Sequence, residues 1–159
     1  MMMDATESRV DALLEAIKSK VEAAGVFGPV EVSDGMLRCA ASGAGAEAWY
    51  RVERDDGRWH VALVTPDRWL SESIEADLMH FGDPIEELVE EELVELGQPA
   101  GRPVVRHYRS EDLLYTFRTP IPMPAGDTDD AASLAANYLL AYEAAFRELG
   151  DMTADDDES

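Results

Sequence analysis

Apolar residues recur three or four positions apart near the start of the chain, at Val10, Leu13, Leu14, Ile17 and Val21. That spacing lines one face of a helix. Asp4, with Glu7 three residues on, caps it, and Gly25 ends it. Val26 to Pro29 reads as a connector that carries Phe27 towards the core. The period then falls from 3.6 to 2. Val30 to Ser33 and Met36 to Ala41 are strands joined at Asp34-Gly35, a dipeptide suited to a tight hairpin turn. After a link at Ser42 to Gly45, Glu47 to Arg54 and Arg58 to Val64 flank Asp55-Asp56-Gly57 as a second hairpin.

Helical spacing returns after Thr65-Pro66, which read as N-cap and first helical residue. Trp69, Leu70, Ile74, Leu78 and Phe81 form the apolar stripe. Gly82-Asp83-Pro84 interrupts it and opens a further helix whose apolar face is Ile85, Leu88, Val89, Leu93 and Leu96. Beyond the loop Gly97 to Gly101, Arg102 to Tyr108 and Leu113 to Thr119 read as a hairpin. Pro120, Pro122 and Pro124 stiffen the next stretch. A last helix runs from Thr128 to a stop at Gly150, with Leu134, Tyr138, Leu139, Tyr142, Phe146 and Leu149 inward. The order α-ββββ-αα-ββ-α contains no strand-helix-strand repeat. It predicts an α+β fold, an antiparallel sheet with the helices on one face. Residues 1–150 form the predicted domain, and 151–159 an acidic tail expected to be disordered.

Charge changes the picture. The 159 residues carry a net charge of −21, and the stretch from Ser71 to Leu96 holds ten carboxylates without one Lys or Arg. Eight of the eleven arginines fall instead in predicted strands or their turns: Arg38, Arg51, Arg54, Arg58, Arg102, Arg106, Arg109 and Arg118. Such a field repels nucleic acid and anionic lipid, so a protein or polypeptide partner is expected, with no nucleic acid and no membrane. One cysteine, Cys39, no signal-type segment and no long apolar run point to a cytoplasmic protein.

Catalytic patterns are weak. His60, His80 and His107 stand at no metal-ligand spacing with one another or with Cys39. Gly43-Ala44-Gly45 lacks the Lys-Ser/Thr of a phosphate loop. Glu90, Glu91 and Glu92 lack the pattern of a calcium loop. No catalytic residue, metal or cofactor is expected, and a small enzyme would need His60 or His107 beside a carboxylate in a pocket. Strand parity singles out two other residues. Trp49 faces away from Tyr50 and Val52, alongside Arg51 and Glu53, while Leu114 shares a face with Thr116 and Arg118. Trp49 and Leu114 are therefore the candidate contact residues.

This order of helix, antiparallel sheet, helical insertion, returning hairpin and closing helix, together with the acidity, resembles the type III secretion chaperone-like fold shared with YbjN-like proteins. The resemblance covers Asp4 to Gly150, and the break at Gly82-Asp83-Pro84 departs from its single central helix. It implies a cytoplasmic homodimer that holds an extended segment of its client, with Trp49 and Leu114 on the binding face and Arg51 and Arg118 fixing register. The expected function is a non-enzymatic, chaperone-like binding module. The competing expectation is an acidic inhibitor or immunity-type protein that blocks a basic enzyme by nucleic-acid mimicry.

Overall fold

The computed structural model describes residues 5–33, 35–41, 48–55, 57–81, 85–97, 103–109, 114–123 and 128–147. Within them the chain forms α1 (Ala5–Ala24), β1 (Phe27–Ser33), β2 (Met36–Ala41), β3 (Trp49–Asp55), β4 (Arg58–Thr65), α2 (Arg68–Phe81) and α3 (Ile85–Glu95). There follow β5 (Arg106–Arg109), β6 (Tyr115–Pro120) and α4 (Thr128–Arg147). This is the expected α+β order. The six strands form one antiparallel sheet, β1-β2-β3-β4-β6-β5.

Two hairpins follow from their turn residues. Ser33 pairs with Met36, and Gly35 sits between them at φ +74°, which glycine adopts without steric cost. Asp55 pairs with Arg58, with Gly57 at φ +76°. Other boundaries differ from expectation. β1 begins at Phe27, not Val30, because Phe27 pairs with Ala41 and packs its ring 5.5 Å from Tyr50. Pro29, which cannot donate to a ladder, is taken up by a register shift between Phe27 and Val30 on this edge strand. Thr65 is not a helix cap: it ends β4, its hydroxyl accepts from the Asp67 N–H at 3.0 Å, and α2 starts at Arg68. β5 is shorter and later than Arg102 to Tyr108: Pro103 has no N–H to pair, and the Val105 N–H donates to the Glu86 carboxylate at 3.4 Å.

The helices pack on the face that carries Leu37, Cys39, Tyr50, Val52, Val61, Leu63 and Phe117. These side chains join Leu14, Ile17 and Val21 of α1, Ile74 of α2, Val89 and Leu93 of α3, and Leu139, Tyr142 and Phe146 of α4 in one core. The Tyr142 and Thr119 hydroxyls meet at 2.5 Å, tying α4 to β6. Leu96, expected on the apolar face of α3, is 40% exposed. The helix closes at Glu95, and Gly97 caps it at φ +79°, its N–H bonding the Val94 carbonyl at 2.9 Å. Asp4, Gly43 to Gly45, Glu47, Gly82-Asp83-Pro84, Arg102, Leu113, Leu149, Gly150 and the acidic tail lie outside the described residues, as do the side chains of Trp69, Leu70, Leu78, His80 and Phe81.

Candidate protein-binding face

Antiparallel register arranges the outer face of the sheet in rows. Glu31, Arg38, Arg51, Ala62, Arg118 and Arg106 oppose one another in turn from β1 to β5. The adjacent row is Ala40, Trp49, Val64, Thr116 and Tyr108. Four arginines thus cross the sheet in line, and two of their contacts, Arg38 with Arg51 and Arg118 with Arg106, set like charges directly opposite. Such pairs are destabilising.

What offsets them is local. Glu53 reaches both inner arginines, accepting from Arg51 Nη1 at 3.5 Å and Arg118 Nη1 at 3.4 Å. Asp55 takes Arg118 Nη2 at 3.1 Å. These side chains lie flat on the sheet, with Arg51, Arg118 and Glu53 only 14, 15 and 18% exposed, and Ala62 beneath them is fully buried. Among the described residues the buried Nε atoms of Arg51 and Arg118 and Nδ1 of His60 have no hydrogen-bond partner. His60 is held below its ordinary pKa, first by burial and then by the Arg118 charge. Two of the four cations also meet rings: the Arg38 guanidinium lies 5.7 Å from the Trp49 centroid, and that of Arg118 5.7 Å from Tyr108.

Trp49, Arg51 and Arg118 therefore share one face in neighbouring rows. Trp49 is half-buried, with the Arg38 guanidinium over its ring. Leu114 is half-buried as well and stands one residue before β6, where its carbonyl accepts from the Thr116 hydroxyl at 3.1 Å. Arg38, Arg106 and Tyr108 complete the rows, although parity had not singled them out. Their strand parity was available in the sequence, but the register across the loops was not.

A second constellation ties β5 to α2. His107 stacks on Phe117 at 3.9 Å and 7° between ring planes. Its Nδ1 meets Glu75 Oε2 at 2.6 Å, and its Nε2 meets Ser71 Oγ at 3.2 Å. Burial outweighs the Glu75 carboxylate and holds this imidazole below its ordinary pKa. The polarity is that of a hydrolase relay, carboxylate to imidazole to hydroxyl. Ser71, however, is 3% exposed, so its hydroxyl bridges two elements instead of facing a substrate.

Cys39 lies in the core, and burial pushes its thiol up to about 12. Among the described residues no group of three or more His, Cys, Asp or Glu side chains could hold a metal, and no helix is long and apolar enough to cross a membrane. No protein-family model, curated protein or solved structure matches this chain.

Proposed function

We propose that the protein is a non-enzymatic, chaperone-like binding module that holds a polypeptide partner on the outer face of its sheet. The observation that carries this reading is the arginine row. In a chain of net charge −21, the four arginines of the row meet three carboxylates, Glu31, Glu53 and Asp55, with two like-charge pairs opposed across strands. A stability device would not be built that way. A partner's carboxylates would relieve the repulsion, while Trp49 and Tyr108 offer flat apolar contact beside the cations. Arg51 and Arg118, braced by Glu53, would set the partner's register. The partner would meet the protein in the cytoplasm.

The test is capture of the partner from the native cell, followed by repetition with Arg38→Glu and Trp49→Ala. Each variant should lower retention at least about tenfold, the loss of one good interface contact. Undiminished retention by both variants would refute the sheet-face reading. Light scattering at micromolar concentration tests the homodimer that the resemblance implies, and a monomeric mass removes it.

The second reading, an acidic inhibitor of a basic enzyme, is favoured by α3. There Glu87, Glu90, Glu91 and Glu95 surround the exposed Val94 on an open surface. It predicts that Glu90→Gln with Glu91→Gln abolishes capture, that the sheet variants do not, and that binding falls steeply with salt.

A further inference from the structure

At one end of the sheet, away from the arginine row, the β3–β4 turn, the approach to β5 and the exit from β6 enclose a groove of about 470 Å³ against α4. That volume is in the range of small-molecule sites. Its wall is apolar, made by Trp59, Val104, Ile121 and Met123 with three prolines. It is also preformed. Proline fixes the backbone, Ile121 N–H donates to the Trp59 carbonyl at 2.9 Å, and Met123 N–H to the Ile121 carbonyl at 2.8 Å.

Two polar groups break this apolar lining. Tyr138 of α4, 2% exposed as a whole, is one of the groove's lining residues. Tyr142, one helical turn further along α4, closes its hydroxyl against Thr119 instead. Burial raises the Tyr138 pKa, so the phenol remains a donor. At the rim stands Arg58, exposed. Its cross-strand neighbour Asp55 is taken by Arg118, and among the described residues Arg58 has no ion pair. A phenol donor lining an apolar groove and, at its mouth, a cation with no ion pair among the described residues define a complementary shape.

We infer that this groove binds a small carboxylic acid with an aromatic or branched apolar body. The body lies against Trp59 and Ile121, an acceptor at its inner end takes the Tyr138 hydroxyl, and its carboxylate meets Arg58. This site is independent of the partner-binding face, and each can fail without the other.

The probe is 3-(4-methoxyphenyl)propionate, titrated by calorimetry and by amide and indole NMR shifts. Two controls accompany it: the matching alcohol, which lacks the carboxylate, and the 4-ethyl acid, which lacks the inner acceptor. The methoxy acid should bind at about 1 mM or tighter, as expected for a ligand of this size. Its shifts should centre on Gly57 to Trp59 and Ile121 to Met123. Arg58→Gln should weaken the acid at least about fivefold and leave the alcohol unchanged. Tyr138→Phe should weaken the methoxy acid and spare the ethyl acid. No binding at about 5 mM, equal affinity of acid and alcohol, or shifts elsewhere would overturn the proposal. A peptide ending in an apolar residue that binds more than about tenfold tighter would overturn the small-molecule assignment. Arg58 is exposed and Tyr138→Phe keeps the ring, so both variants can be checked for folding by their amide spectra before titration.

Discussion

Replacing Glu53 by glutamine isolates the charge that holds the two inner arginines of the row. Glutamine keeps the shape and one carbonyl acceptor, but it gives up the charge and one of the two guanidinium contacts. Hydrogen bonds to charged groups contribute about 1.5 to 3 kcal/mol each. The contacts here, 3.5 and 3.4 Å, are long, so the lower figure applies. The side chain is 18% exposed, so solvent screens little of it. Arg51 and Arg118 face each other across the width of Ala62, about 9.6 Å at the usual strand spacing, and their repulsion is then no longer countered by Glu53. The expected cost is about 1.5 kcal/mol, which for a chain of this length lowers Tm by about 3 to 6 °C. Urea unfolding followed by tryptophan fluorescence reads it directly. A loss below about 0.5 kcal/mol would show that the brace is screened and that Glu53 does not preset the row. The companion experiment replaces the three least exposed members, as Arg51→Met, Glu53→Leu and Arg118→Met, and leaves only Asp55, whose side chain is 60% exposed. Removing the buried part of such an ion network in favour of apolar side chains is often neutral or stabilising, and the exposed Asp55 carboxylate left behind is solvated. If the triple variant were destabilised by more than about 2 kcal/mol, the row would be a structural device, and its use for recognition would lose its physical basis.

Tyr142→Phe strands the buried Thr119 hydroxyl and should cost about 1 to 2 kcal/mol by denaturant unfolding, with α4 still helical by circular dichroism. His60 and His107 both have folded-state pKa values below the ordinary 6.5, so the unfolded chain binds protons first as pH falls. Their contribution to stability is fully present above about pH 6.5 and is lost below it towards the lowered folded values. Denaturant titrations at pH 7.5 and 5.5 should show a smaller drop for His60→Gln than for the parent chain. Cys39, with its thiol raised to about 12, should resist thiol reagents at pH 8 in the folded protein and react fully in denaturant.

Local sequence chemistry made the first four strands legible. Asp34-Gly35 and Asp55-Asp56-Gly57 dictate tight turns, and the alternation through Tyr50 and Val52 assigns Trp49 and Arg51 to the outer face. Helix termini were legible where glycine ends them, at Gly25 and Gly97. Other features depend on tertiary placement. The start of β5 is not legible locally: hydrophobicity at Val104 and Val105 suggests a strand, while pairing begins only at Arg106. The arginine row needs the register across three connections, which no local signal carries. Neither the Ser71, Glu75 and His107 contact nor the place of Tyr138 in the groove leaves any trace in spacing. Both depend on which elements the fold brings together.

The bond from His107 to Ser71 spans 36 positions of sequence, and all four residues of β5 are otherwise exposed at the sheet edge. An edge strand so thinly covered would ordinarily fray on its own. Here its central imidazole is held from both nitrogens by one helix, so β5 and the first turns of α2 open and close as a single cooperative unit. Their amide hydrogens should then exchange with one common free energy, lower than that of the four-stranded β1 to β4 portion. Any molecule that grips β5 would also slow exchange in α2, a helix it need never touch.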